Sequence, residues 1–96
     1  MQLATVLGQV VSTAKEPGLG RFTLLLLQDD VGPGMESEAS TYVAVDLVGA
    51  GSGEVVLVVS GSGARVAAGA DVPTDQAVVA IVDSVIQEGN VTYSKA

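Results

Sequence analysis

The hydroxyls that can act as nucleophiles beside apolar segments of this chain are those of Ser60, Ser62 and Ser84. A serine attacks a substrate only when a base takes its proton. The chain has no histidine and no cysteine, so that base would have to be Lys15 or Lys95, which fall in an expected loop and in the tail. The same absence excludes disulfides, the usual zinc sites and histidine acid–base chemistry. Among the carboxylates, Asp46, Asp75 and Asp83 interrupt apolar runs or the approaches to them, where a charge is either functional or paired. Arg65, whose planar guanidinium suits a two-point carboxylate contact, is the expected partner of one of them across a subunit boundary or the surface of the barrel. The acidic segment 29–41, with Asp29, Asp30, Glu36 and Glu38, lacks the alternating Asp/Asn ladder and terminal glutamate of a calcium loop. No catalytic residue, cofactor-binding residue or metal ligand is assigned, and an enzyme is not expected.

Two glycine clusters invite comparison with phosphate-binding loops. Gly49-Ala50-Gly51-Ser52-Gly53-Glu54 follows an expected strand, but Glu54 stands where a dinucleotide fingerprint needs its third glycine, and a strand follows instead of a helix. Gly61-Ser62-Gly63-Ala64-Arg65-Val66 does open a helix, yet Val66 occupies the third glycine's place and no phosphate-binding lysine follows. A structural role remains for both: glycine admits a positive φ or the close approach of another backbone. Between the clusters lies the solid apolar run Val55–Val59, so one buried strand is flanked by two sites of close approach.

The elements that must position these residues are mostly strands. Residues 2–14 read as a long strand apolar on much of both faces, with Gly8 marking a bulge or bend. Lys15 to Gly20 ends it, with Pro17-Gly18 as a turn signal. Residues 22–28, with four consecutive leucines, form a second strand. Residues 42–48 and 54–60 are the third and fourth, and their glycine-rich connection reads as a hairpin with a longer loop. Residues 61–69 suit a helix of about two turns, closed by Gly69 and stopped by Pro73. The β-branched run 76–86 is a fifth strand, and 91–93 a short sixth after the turn Gln87-Glu88-Gly89-Asn90. The expected architecture is all-β: a single domain over residues 1–96, a small five- to six-stranded OB-like barrel, closed or nearly closed, with one short helix. A sandwich is the alternative.

Composition narrows the function further. The chain is 48% hydrophobic and only 16% charged, whereas a small soluble monomer usually carries about 25–35% charged residues on its surface. Part of the surface is therefore expected to be covered by other subunits. A net charge of −7 with four lysines and arginines in total opposes nucleic-acid binding, which needs cations along phosphates. Three aromatics make a poor stacking platform for single strands. Apolar runs fall far short of the ~20 residues of a membrane-spanning helix, and the N-terminus has no basic segment followed by a long apolar one. A cytoplasmic protein without membrane contact is the expectation.

Read together, several segments resemble a known family. They are Met1 to Thr13 with its Gly8-Gln9-Val10-Val11-Ser12-Thr13, Lys15-Glu16, Leu24 to Gln28, Ala44 to Gly51, Glu54 to Val58, Gly61 to Arg65 and Pro73 to Asp83. In order and spacing they resemble the EutN/CcmL family, the pentameric vertex proteins of bacterial microcompartments. The resemblance implies an OB-like barrel forming a cyclic homopentamer that caps the vertices of a polyhedral shell beside hexameric shell proteins. It places Asp46, Gly49, Ala50, Gly51, Ser52, Gly53, Glu54, Ser60, Gly61, Ser62, Gly63, Arg65 and Asp75 at subunit contacts or the five-fold axis. The alternative is an OB-like module binding nucleic acid or a small ligand.

Overall fold

A computed structural model describes residues 1–13, 15–29 and 40–95. Among these residues, seven strands and one α-helix follow in the order β1 (Gln2–Val10), β2 (Thr23–Asp29), β3 (Thr41–Asp46), β4 (Val55–Ser60), α1 (Ser62–Ala68), β5 (Gln76–Ile81), β6 (Ser84–Gln87) and β7 (Asn90–Ser94), with a 3₁₀ turn at Pro17–Leu19. The first five strands close a barrel in the order β1-β2-β3-β5-β4, and β6 and β7 form a separate two-stranded sheet.

Period-two alternation turns one set of side chains inward. Ala4 and Val6 from β1, Leu25 and Leu27 from β2, Ala44 from β3, Val56 and Val58 from β4 and Val78 from β5 fill the barrel. All are small or branched, which suits the narrow interior of a five-stranded barrel. On the outside, α1 lays Ala64 and Ala68, one turn apart, against Val45, Val72 and Ala77 to form a second core. Thus Ala44 and Val45, like Ala77 and Val78, are neighbours buried on opposite faces. The β3–β5 seam is dry on both sides because the helix covers it.

Closure requires sharply bent strands, and the ladders show where they bend. The β1–β2 register shifts between Val6 and Gly8, where the sequence places a bend, and a second shift lies in β4 opposite β5 between Leu57 and Val58. Arg21 fastens the helix to the barrel: its Nη2 donates to the carbonyl of Ala68 at 3.3 Å, and its guanidinium lies 4.7 Å from the Phe22 ring centroid. A cation at a helix C-terminus is favourably placed against the helix dipole. At another edge, Gln2 Nε2 donates to Asp29 Oδ1 at 2.6 Å and to the Tyr42 hydroxyl at 2.9 Å. Burial, with Asp29 nearby, pushes the Tyr42 phenol up to about 12 against the lowering effect of the Gln2 bond.

The closed barrel and the short helix agree with expectation, but the strands among the described residues number seven rather than five or six, and three readings need correction. First, β3 and β4 are not a hairpin: β3 pairs with β2 and, in parallel, with β5, while β4 pairs with β1 and β5. The connection 47–54 carries the chain across the barrel end, where Gly53 N donates to Val6 O at 2.8 Å and Val6 N to Glu54 O at 2.9 Å. Second, the run 76–86 is two strands, because β5 ends at Ile81, Val82 N donates to Val55 O at 2.8 Å, and the chain bends at Asp83 into the β6–β7 hairpin. Third, β1 stops at Val10, whose partner Leu24 ends the ladder with β2. Most of the acidic segment 29–41 lies outside the described residues.

Candidate functional site

The residues expected at subunit contacts fall into two groups at opposite ends of β4, while Asp83 and Ser84 lie apart from both at the start of the β6–β7 hairpin. The six residues of β4 span roughly 20 Å as extended chain, so the two glycine clusters do not share one opening within a subunit.

The first group is the loop from Asp46 to Glu54. Asp46 ends β3 by turning its carboxylate onto the loop's own amides: Oδ1 accepts from Val48 N and Gly49 N at 3.0 Å each, and Oδ2 from Ala50 N at 2.9 Å. Three successive N–H groups thus cradle an anion supplied by the chain itself. This is why a carboxylate interrupts the apolar strand, and Arg65 is not its partner within the subunit. Gly49 and Gly53 take φ of 80° and 86°, which side chains with a Cβ resist. Glu54 closes the loop from the other side. Its Oε1 accepts from Gly51 N at 2.6 Å, and its Oε2 lies 2.5 Å from Lys95 Nζ. The Lys95 ammonium, followed by the Gly51 bond, holds the Glu54 carboxyl below its ordinary range, and Glu54 in turn raises Lys95. Gly51, Ser52 and Gly53 are left exposed at the tip, over a cavity of about 150 Å³ that also touches Val6, Gly8 and Leu25.

The second group surrounds the start of α1. Gly61, at φ 60°, is the residue before the helix and carries no side-chain cap. Its N–H donates to the Asp75 carbonyl at 2.8 Å, which brings Asp75 to the glycine cluster by backbone rather than by carboxylate. Ser60 Oγ donates to Gln76 Oε1 at 3.3 Å. Ser62 and Gly63 are exposed on the first turn and Arg65 follows them. Lys15 bonds the Phe22 carbonyl, Arg21 the Ala68 carbonyl and Lys95 Glu54. Arg65 is the one side-chain cation without a partner among the described residues. Asp75 also lines a cavity of about 170 Å³ with Leu19, Val43 and Pro73.

Neither group gathers a nucleophile with a base. What both present is preorganised backbone with small, exposed residues, a surface suited to packing against another surface. The turn at 87–90 and the strand after it are where the sequence places them, but the pairing of that strand with residues 84–87 and the Glu54–Lys95 contact were not singled out. A lysine next to the C-terminus carries no local signal, since its partner lies 41 positions away.

Comparisons with known proteins agree with this picture. Residues 1–83 match the family model described as ethanolamine utilisation protein EutN/carboxysome. The bacterial microcompartment shell vertex protein EutN of Escherichia coli K12 is 42% identical over 96 residues, covering 99% of this chain and 100% of that protein. The carboxysome shell vertex protein CcmL of Synechocystis sp. is 48% identical over 98 residues, covering 99% and 95%. Among solved structures, a carboxysome subunit CcmL superposes with a TM-score of 0.88 at 46% identity, covering 100% of both chains. GrpN, a pentameric microcompartment shell protein from Rhodospirillum rubrum, superposes at 0.76 with 42% identity, covering 91% of this chain and 99% of that one. With a matching five-stranded barrel and full-length identity above 40%, the chain belongs to the EutN/CcmL family.

Proposed function

We propose that this protein is a structural component of a bacterial microcompartment shell, assembling as a homopentamer that caps the shell's vertices. The observation that carries this reading is the full-length likeness to proteins named shell vertex proteins, together with a superposable relative described as pentameric. The physical features support it. A ring closes through two different, mutually complementary faces of each subunit, and this chain has two preformed groups at opposite ends of β4. The loop Gly49–Gly53 is held by Asp46 and Glu54 before any partner arrives, so little ordering entropy is lost on contact.

On this reading Asp46, Gly49 to Glu54, Ser60 to Gly63, Arg65 and Asp75 lie at subunit contacts or near the five-fold axis. Asp46 and Glu54 act there by shaping the loop, whereas Arg65 contacts a neighbour directly. The pentamer sits among hexameric shell proteins in the cytoplasm, has no catalytic role, and binds neither nucleic acid nor membrane. Native mass spectrometry tests the assembly: about 48 kDa, five copies of 9.6 kDa, is expected, and a monomer that persists at high concentration opposes it.

A further inference from the structure

The C-terminal hairpin carries an apolar face that its own chain does not cover. In the β6–β7 ladder Val85 pairs with Tyr93 and Ile86 with Val91, and cross-strand partners share a face. Val85 and Tyr93 are half-buried, while Ile86 and Val91 are 67% and 61% exposed. The two strands pack chiefly on each other; the Lys95 N–H closes the base of the hairpin on Asp83 O at 2.7 Å, and the Lys95 ammonium fastens it to Glu54 at the barrel end. The hairpin lies beyond the residues matched by the family model. Its turn, Glu88-Gly89, has φ of 52° and 80°, the paired positive values of a tight type I′ connection. Glu88 is thereby held at the tip, exposed and with no partner among the described residues.

Elsewhere on the molecule stands a surface of matching character. Helix α1, which packs chiefly on β4 and β5, exposes Val66 to 84% beside Ala67 and the unpartnered Arg65. An apolar pair with a carboxylate at its end and an apolar helix face with a cation at its edge are complementary in both hydrophobicity and charge. A contact between two such different surfaces on separate copies is head to tail.

We propose that the Ile86–Val91 face of one copy docks on the exposed face of α1 of the next, with Glu88 paired to the neighbour's Arg65. This inference rests on the ring reading above and adds the hairpin as the surface that meets the group at the start of α1. Contact of this kind desolvates a pair of β-branched side chains against valine and alanine, and the ion pair sets register.

The test is a dilution series followed by native mass spectrometry on wild type, Arg65→Glu, Glu88→Lys, the double variant and Ile86→Asp, each checked for strand content by circular dichroism. Each single change is expected to raise the protomer concentration at half-dissociation about tenfold, and the double charge swap to return it to within about threefold of wild type. Unchanged rings in both single charge variants, or no recovery in the double, overturn the proposal, and this pair decides even where Ile86→Asp disturbs the hairpin. Rings that survive Ile86→Asp but no longer enter shells assign the face to a different shell protein and also overturn it. A wild type that forms no ring at any concentration removes the assembly reading itself, and the docking proposal with it.

Discussion

Replacing Asp46 by alanine should loosen the loop 47–54 without unfolding the barrel. The carboxylate accepts three backbone N–H groups, from Val48, Gly49 and Ala50, at 2.9–3.0 Å. Bonds to a charged acceptor are worth up to ~3 kcal/mol each when buried. Here Val48 and Gly49 are exposed and Ala50 half-buried, so water takes over much of each bond. A net of ~0.5 kcal/mol apiece is then appropriate, or about 1.5 kcal/mol in all. That corresponds to about a tenfold rise in local opening. Asp46→Asn is the sharper probe. Its remaining oxygen can keep the Val48 and Gly49 bonds, but the amide NH₂ then faces the Ala50 N–H donor to donor. Hydrogen–deuterium exchange at single-residue resolution should show all three amides deprotected about tenfold in Asp46→Ala, and Ala50 alone affected in Asp46→Asn, with the β1, β2 and β4 core amides unchanged in both. Unaltered exchange at residues 48–50 in both variants would refute the claim that this carboxylate shapes the loop.

Two further outcomes are expected. Leu27 is fully buried in the barrel, so Leu27→Ala should cost about 2–5 kcal/mol, measured as a lower urea midpoint at constant slope; a loss below about 1 kcal/mol would mean the barrel interior collapses around the gap. The Glu54–Lys95 contact should make the hairpin's attachment pH-dependent at both ends. Glu54 is held below its ordinary range, so its contribution is present above ~4.3, the ordinary glutamate value, and is lost as pH falls through the lower folded value. Lys95 is raised, so its contribution is complete below ~10.4 and is lost as pH rises through the higher folded value. Exchange at residues 90–95 should therefore increase at both extremes relative to the intrinsic rate, and Glu54→Gln should abolish the acid limb; an unchanged acid limb in that variant contradicts the assignment.

How much of this was legible in the sequence depended on the range of the interactions. Strand positions were readable because a short apolar run between breakers is a local signal: Leu24 to Leu27 and Val55 to Val59 announce strands by themselves, but not which of their residues face inward. The bend at Gly8 and the helix bounded by Gly61 and Gly69 were likewise carried by residues whose backbone freedom is their own property. Strand order was not, because Asp46 looks like an interruption in an apolar run until its carboxylate is seen to gather the next amides and send the chain across the barrel to β1. The split of residues 76–86 at Asp83 was hidden for a related reason: β-branched residues continue through Val85 and Ile86, and only the ladder shows that Val82 is the last to bond the barrel. Of the candidate residues, the glycines' conformational roles at positions 49, 53 and 61 followed from residue type. Glu54's grip on Lys95 did not, being a contact between distant positions.

The most direct measurement of the central claim is the mass of the assembled protein under native conditions, followed through dilution. A closed ring predicts a single dominant species at about 48 kDa, five copies of 9.6 kDa, that dissociates to monomer without a ladder of higher assemblies, as a cyclic head-to-tail interface requires. A stable monomer, or an even-numbered assembly built on a two-fold contact, would contradict it.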